Sequence, residues 1–348
     1  MTMQEYNVAI LGASGYTGGE LIRILVNHPN VNISYITAEK HAGKNVSEVF
    51  PHLKGILDLK LEKLNANKVP DDIDIVFAAL PHGASAKVLH ELYKRNIKII
   101  DLGADFRLNE GNYTQWYGDH PCTEILEDAV YGISELKREQ IAETNLVANP
   151  GCYPTSSILP LAPLLKEGIV DESSIIIDSK SGVSGAGRSP SLDLHFCEVS
   201  EGFKAYKVAE HRHSPEIEQH LSEYTNKNVS IIFTPHLIPI DRGILSTIYV
   251  KTDKGYKTSE LIDKLKESYK DCHFIRIYEE GQFPNISYIR GSNYCDIGVK
   301  SIPEKNSAVI VSVIDNLVKG AAGQAVQNMN IMMDLPEITG LRLNPVYP

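Results

Sequence analysis

The sequence predicts a two-domain α/β protein, a parallel-sheet domain followed by an α+β domain with a mixed sheet. Three observations carry that expectation. Short apolar runs alternate with helical patterns over roughly the first 150 residues, as strands joined by crossover helices do. A glycine-rich turn separates the first apolar run from the first helix. From Ser174 onward strand-like runs dominate, with few helices between them.

In chain order, Asn7–Leu11 reads as a buried parallel strand. It runs into Gly12-Ala-Ser14-Gly15-Tyr16-Thr17-Gly18-Gly19, and then Leu21, Ile22, Ile24 and Leu25 keep helical spacing. Strand, glycine turn and helix in this order form the dinucleotide-binding arrangement. Glycine lets the main chain approach a pyrophosphate, and the helix start stabilises its charge. Ser14 stands where the common fingerprint has its second glycine. The first domain is therefore expected to be of Rossmann type, with Gly12, Ser14, Gly15, Tyr16, Thr17 and Gly18 touching the cofactor. A second strand, Asn32–Ile36, ends at Thr37-Ala38-Glu39-Lys40. Glu39 argues for the free ribose hydroxyl of NAD, whereas Thr37 and Lys40 argue for the 2′-phosphate of NADP.

Ile73–Leu80 is the next strand, and Pro81 and His82 after it are expected to line the cofactor cleft. A helix from Ala84 to about Arg95 and a strand Lys98–Leu102 lead to Asp105 and Arg107. Arg107 either pairs with Asp105 or holds an anion. Asn109–Val130, with Tyr113, Trp116 and Tyr117 in no regular pattern, reads as a long loop. The short strand Asn145–Ala148 then enters Asn149-Pro-Gly-Cys152-Tyr-Pro-Thr155, which places one cysteine at the start of an apolar helix. A thiol there is favoured as thiolate by the helix dipole and unpaired N–H groups. The plain alternative is a buried, inert cysteine. Pro160 and Pro163 are expected to kink or divide the helix.

A second glycine-rich stretch, Lys180-Ser-Gly-Val-Ser184-Gly185-Ala-Gly-Arg188, offers N–H groups, hydroxyls and a guanidinium suited to phosphate or carboxylate, against the alternative of a flexible loop. Further on, Ser214 is the expected N-cap of a helix reaching Leu221, with Pro215 in its first turn. Capping does not explain His211, Arg212 and His213. Strands near 230–233, 244–251, 274–277, 293–300 and 308–313, with a helix near 259–269, complete a mixed sheet. The last helix, Asp315 to about Met333, carries small residues and Asn328, suited to packing against the first domain or the cofactor. The expected division is 1–149 with 315–348 as the nucleotide-binding domain and 150–314 as the catalytic, substrate and oligomerisation domain.

Composition excludes several classes. With 43% hydrophobic and 22% charged residues over 348 positions, the chain is an ordinary globular protein. A net charge of −10 without basic runs argues against nucleic acid and anionic membranes. No apolar run reaches the roughly 18 residues of a membrane span, and the start has no leader pattern, so a cytoplasmic location is expected. Five cysteines at 122, 152, 197, 272 and 295 follow no framework spacing and read as reduced thiols. His120/Cys122, His195/Cys197 and Cys272/His273 are lone pairs without a second spaced pair, so no metal site is expected.

With these residues assembled, the chain resembles the N-acetyl-gamma-glutamyl-phosphate reductases, of the wider semialdehyde dehydrogenase group. The resemblance spans essentially the whole chain through Gly12-Ala-Ser-Gly-Tyr-Thr-Gly-Gly, Pro81-His-Gly, Asp101-Leu-Gly-Ala-Asp-Phe-Arg, Asn149-Pro-Gly-Cys-Tyr-Pro-Thr, Ser184-Gly-Ala-Gly-Arg, His211-Arg-His-x-Pro-Glu-Ile and Gly323-Gln-Ala-Val-Gln-Asn-Met-Asn. It implies that Cys152 is a nucleophile with His211 as its acid/base partner. It also implies NADP(H), an acyl phosphate substrate in arginine biosynthesis, and a homo-oligomer, dimer or tetramer. The expected reaction is NADPH-dependent reduction of N-acetyl-L-glutamyl 5-phosphate through a cysteine thioester. Ser184, Arg188, Arg212, His213 and Arg107 are the candidates for holding the substrate's anionic groups, and Gly185 and Asn328 join the cofactor set. The competing readings are a lysine-route acyl-phosphate reductase, an aspartate semialdehyde dehydrogenase, and a non-catalytic nucleotide-binding redox sensor.

Overall fold

The computed structural model describes residues 4–347. Two compact units make up the chain: residues up to Pro150 together with Ala321–Arg342, and Gly151–Gly320 together with the residues from Leu343 on.

The first unit is built on seven strands, β1 (Tyr6–Leu11), β2 (Val31–Thr37), β3 (Leu61–Glu62), β4 (Ile75–Ala78), β5 (Lys98–Asp101), β6 (Val130–Tyr131) and β7 (Leu146–Ala148). They lie in the order β3-β2-β1-β4-β5-β7-β6, and every pair is parallel. Val8–Leu11, Ile75–Ala78, Ile99 and Ile100 are fully buried, as continuous apolar runs must be in a sheet covered on both faces. The edge strands β3 and β6 have two residues each, too few to carry a periodic signal.

The stretch expected as one long loop contains a helix, Glu110–Tyr117. Asn109 caps it by accepting the Asn112 N–H at 2.9 Å, and Gly118, at φ +88°, ends it. Tyr113 and Tyr117, one turn apart, stack with ring centroids 5.1 Å apart, so the aromatic residues that disturbed the pattern are what hold the helix. Ser134–Glu143 is a further helix that polar composition concealed. The last helix is shorter than expected: a π turn, Val318–Ala322, precedes Gly323–Met332. Its buried amides bond to groups of the first unit. Gln324 Nε2 donates to Gly132 O and Ser134 Oγ, and His28 Nε2 lies 3.0 Å from Asn330 Oδ1.

The second unit carries β8 (Ile175–Gly182), β9 (Lys204–Ala205), β10 (Ile231–Ile238), β11 (Ile244–Lys251), β12 (Ile275–Ile277), β13 (Cys295–Ile302) and β14 (Ser307–Ile314) in the order β12-β13-β14-β11-β8-β10-β9. The sheet is mixed: β8/β10 and β12/β13 are parallel, the other pairs antiparallel. One face of it is covered by the helix Cys152–Lys166, which packs on β11, β14 and the helices His213–Thr225 and Thr258–Ser268.

Two expectations are corrected here. Cys152–Lys166 runs unbroken through Pro160 and Pro163. Pro163 has no N–H for the carbonyl four residues earlier, and the Tyr269 hydroxyl donates to that same Leu159 carbonyl at 2.5 Å. Ser214 is not a cap either. The helix begins at His213, the Ser214 N–H closes a turn onto His211 O at 2.9 Å, and Asn226 in the left-handed region ends the helix after Thr225. Among the described residues no helix is long and apolar enough to cross a membrane.

Candidate active site

In the first unit, β1 ends in the glycine turn and the helix Tyr16–Leu25 follows it. Gly12 has φ +82°, and a Cβ there would collide with the Ala79 carbonyl at the end of β4. At Gly18 a Cβ would stand 2.6 Å from Ala13 Cα, so only glycine lets the helix approach the strand this closely. Gly15, at φ −79° and ψ 170°, caps the helix without any side-chain hydrogen bond, and its Cβ direction meets nothing closer than Gly12 O at 3.8 Å. A helix start leaves its first N–H groups without internal acceptors. The turn is therefore a cradle of main-chain donors over a glycine surface, which fits a pyrophosphate. Tyr16 is exposed, and Ser14 and Thr17 are half-buried beside the turn.

Thr37 is buried at the end of β2. Its hydroxyl accepts the Gly12 N–H at 3.2 Å and its carbonyl accepts the Ala13 N–H at 2.8 Å, so it shapes the turn. Lys40 and Glu39 are exposed, and Glu39 lies 3.8 Å from Lys63. Asn328 is fully buried. It donates to Gly132 O and Asn149 Oδ1 and accepts from Ser134 Oγ, linking the last helix to the residue pair that leads out of β7.

At the ends of β4 and β5, Asp105 organises Pro81-His82-Gly83. Its carboxylate accepts the N–H groups of Gly83, Ser85 and Ala86 and the Ser85 hydroxyl, and His82 Nδ1 lies 3.0 Å away. Burial alone would raise this carboxyl; the Gly83, Ser85 and Ala86 donors and His82 outweigh it and hold it low. Asp101, completely buried, goes the other way. Burial and the neighbouring Asp105 push it up to about 7, against the Gly103 N–H, Arg107 and Ser85. Arg107 is buried and donates to Leu102 O at 2.8 Å. His82, 4.1 Å between ring centroids from Tyr117, is held in place by Asp105 from below.

In the second unit, Cys152 is the first residue of its helix and half-buried. Gly151, the cap, has no side chain, and its N–H donates to Glu216 Oε1 at 2.8 Å. Glu216 is itself buried, with its other oxygen 3.9 Å from His213 Nε2. Thr155 closes the turn by donating N–H and hydroxyl to Gly151 O. A Cβ at residue 320 would stand 2.8 Å from Cys152 Cβ, so Gly320 is what gives the cysteine room.

Cys152 and His211 each lie beside a tyrosine pair. Tyr153 and Tyr206 share a hydrogen bond of 3.0 Å between hydroxyls, and the His211 ring lies edge-on to both at 5.5 and 5.6 Å. Burial, opposed by the Tyr153 hydrogen bond and reinforced by nearby Cys152, pushes the Tyr206 phenol up to about 12. His211 is lowered to about 2, first by burial and then by His213 and Lys207, with Glu216 opposing. It is neutral. The His213 N–H donates to its Nδ1 at 3.1 Å, so the proton of the neutral ring sits on Nε2. His211 is thus a hydrogen-bond donor at Nε2.

The remaining anion candidates also fall in the second unit, apart from Arg107. Ser184 and Gly185 form a turn after β8, where Asn316 donates to Ser184 Oγ at 3.0 Å. Arg188 and Arg212 are exposed, and His213 is half-buried against Tyr153. Sequence reasoning passed over Glu216, Tyr206 and the clamp role of Asp105. A glutamate in a helix's first turn that turns out buried is the one hint the chain contained.

This construction defines a class: a glycine-turn nucleotide fold joined to a unit with a cysteine at a helix start. Residues 7–144 match the semialdehyde dehydrogenase NAD binding domain, and residues 152–316 match the semialdehyde dehydrogenase dimerisation domain. The N-acetyl-gamma-glutamyl-phosphate reductase of Geobacter sp. (strain M21) is 52% identical over 98% of this chain and 99% of its own. That of Pelotomaculum thermopropionicum is 51% identical over the same shares. The chain belongs to the N-acetyl-gamma-glutamyl-phosphate reductase family. Aspartate semialdehyde dehydrogenase II of Vibrio cholerae, complexed with ASA, has the same fold at a TM-score of 0.74 and 18% identity, covering 95% of this chain and 99% of that one. The aspartate semialdehyde dehydrogenase of Candida albicans with NADP follows at 0.72 and 15%, over 95% and 99%.

Proposed function

We propose that the protein reduces N-acetyl-L-glutamyl 5-phosphate to N-acetyl-L-glutamate 5-semialdehyde and phosphate with NADPH, a step of arginine biosynthesis. The observation that carries this reading is Cys152 at a glycine-capped helix start with neutral His211 across the Tyr153–Tyr206 pair. The relatives at about half identity supply the substrate.

Cys152 attacks as thiolate: its sulfur bonds to the acyl carbon and the bond to the phosphate oxygen breaks, leaving a thioester. Of the donors at the helix start, Gly151 already serves Glu216 and Pro154 has no N–H. Main-chain N–H groups at this helix start hold the oxyanion, with His211 Nε2–H as a further donor. NADPH, when bound, would supply the hydride that takes the thioester to the aldehyde level. Carbonyl re-formation then breaks the C–S bond, and Cys152 leaves as thiolate. Ser184, Arg188, Arg212 and His213 hold the anionic groups of the substrate. The Gly12–Gly18 turn would hold the pyrophosphate and Lys40 the 2′-phosphate, while Thr37 and Asn328 act at one remove by fixing the main chain. Pro81 and His82 border the same nucleotide.

A homo-oligomer fits the second sheet. Ile232, Ile176 and Tyr249 are aligned across β10, β8 and β11 and are 60, 43 and 43% exposed, an apolar row on an open face. Five free cysteines suit a reducing, cytoplasmic setting.

Purified protein offered N-acetylglutamate semialdehyde, phosphate and NADP+ should form NADPH only when phosphate is present. Equal turnover with aspartate semialdehyde, or none with either, defeats the assignment.

A further inference from the structure

Away from both sites, the first unit brings three metal-ligating side chains together. His90 lies on the helix Ala86–Tyr93, Cys122 just before the short turn Thr123–Ile125, and Glu124 within it. One ligand atom from each stands within 4.8 Å of the others. Zinc bonds of about 2.0–2.3 Å place tetrahedral ligands about 3.5 Å apart, so closure takes roughly an ångström of side-chain rotation. Glu124 is exposed and His90 half-buried, so both have that freedom, while Cys122 is buried and fixed.

We propose that His90, Cys122 and Glu124 form a site for a zinc-class divalent cation. The set of one thiolate, one imidazole and one carboxylate matches the borderline-soft preference of that ion, and three protein ligands leave the fourth position to water. The neighbouring histidine does not compete for the role. His120 receives the Cys122 N–H on Nδ1 at 3.1 Å and lies 2.8 Å from Asp105 O through Nε2. Those two bonds orient the Cys122 main chain and tie it to the residue that clamps His82. Binding exchanges the thiol proton for the cation, with the proton released to solvent.

Cobalt(II) is the probe, in Cys152→Ser protein, and Cys122→Ser in the same background separates this site from the His195/Cys197 and Cys272/His273 pairs. The expected result is a near-ultraviolet thiolate-to-cobalt band, abolished by zinc and by Cys122→Ser, with one proton released per ion. His90→Gln and Glu124→Gln, at less buried positions, should keep the fold and weaken binding by about 100-fold or more, since even outer-shell partners are worth about 10–100-fold. A band that survives His90→Gln and Glu124→Gln unchanged, or no band at all, overturns the site.

Discussion

Two helices in this protein start in the same way and end up suited to different tasks. Tyr16–Leu25 and Cys152–Lys166 each follow a parallel strand, and each is capped by an extended glycine, Gly15 or Gly151, with no side-chain hydrogen bond. In the first, glycines line the start and no side chain caps it, which suits binding an anion that stays unchanged. In the second, a thiol occupies the first position, a proline removes one donor, and Glu216 takes another. A helix start is thus one electrostatic device, and what stands on it decides between holding charge and making a bond.

The largest test is Cys152→Ser, which should lower turnover by about 10⁴-fold or more while leaving NADPH affinity intact. Near-normal turnover would erase the distinction between the two starts. Gly15→Ala is the mirror experiment. Its φ of −79° and open surroundings accept a methyl without strain, so melting temperature should hold while NADPH affinity falls by about 10–100-fold. Unchanged affinity means the turn does not hold the phosphates. Glu216→Ala strands the Gly151 N–H, a loss of about 1–3 kcal/mol, and should lower kcat with little effect on the KM for NADPH. A rise in that KM alone would place Glu216 outside the cysteine turn's support.

The smallest effect concerns pH. Asp101, raised to about 7 from 3.8, holds its proton in the folded state where the unfolded chain has lost it. Its contribution is complete below pH 3.8 and gone above about 7, so Asp101→Asn should gain melting temperature relative to the parent as pH rises across that window. His211, lowered to about 2, has the opposite sign: its contribution is present above 6.5 and lost as pH falls. A melting-temperature gap between Asp101→Asn and the parent that stays constant with pH would remove the first half of that contrast.

Local chemistry made much of this legible. The Gly12–Gly19 turn and the Cys152 turn each join a strand to a helix within a dozen residues, and the apolar runs of β1, β4 and β5 announce a covered parallel sheet. What escaped was set by distant partners. Pro163 stays helical because Tyr269, 106 positions on (269 minus 163), donates to the Leu159 carbonyl it leaves bare. Glu216 meets Gly151 across 65 positions, and Tyr206 meets Tyr153 across 53. The Glu110–Tyr117 helix failed to show because its stability comes from a ring stack and an asparagine cap, not from an apolar stripe. His90 and Cys122 are 32 positions apart (122 minus 90), well outside any spaced-ligand pattern.

The amide that donates to His211 Nδ1 belongs to the main chain of residue 213. Which ring nitrogen carries the proton of the neutral histidine is therefore set by the bend of the chain. A substitution at position 213 that keeps the bend leaves the imidazole presenting the same nitrogen.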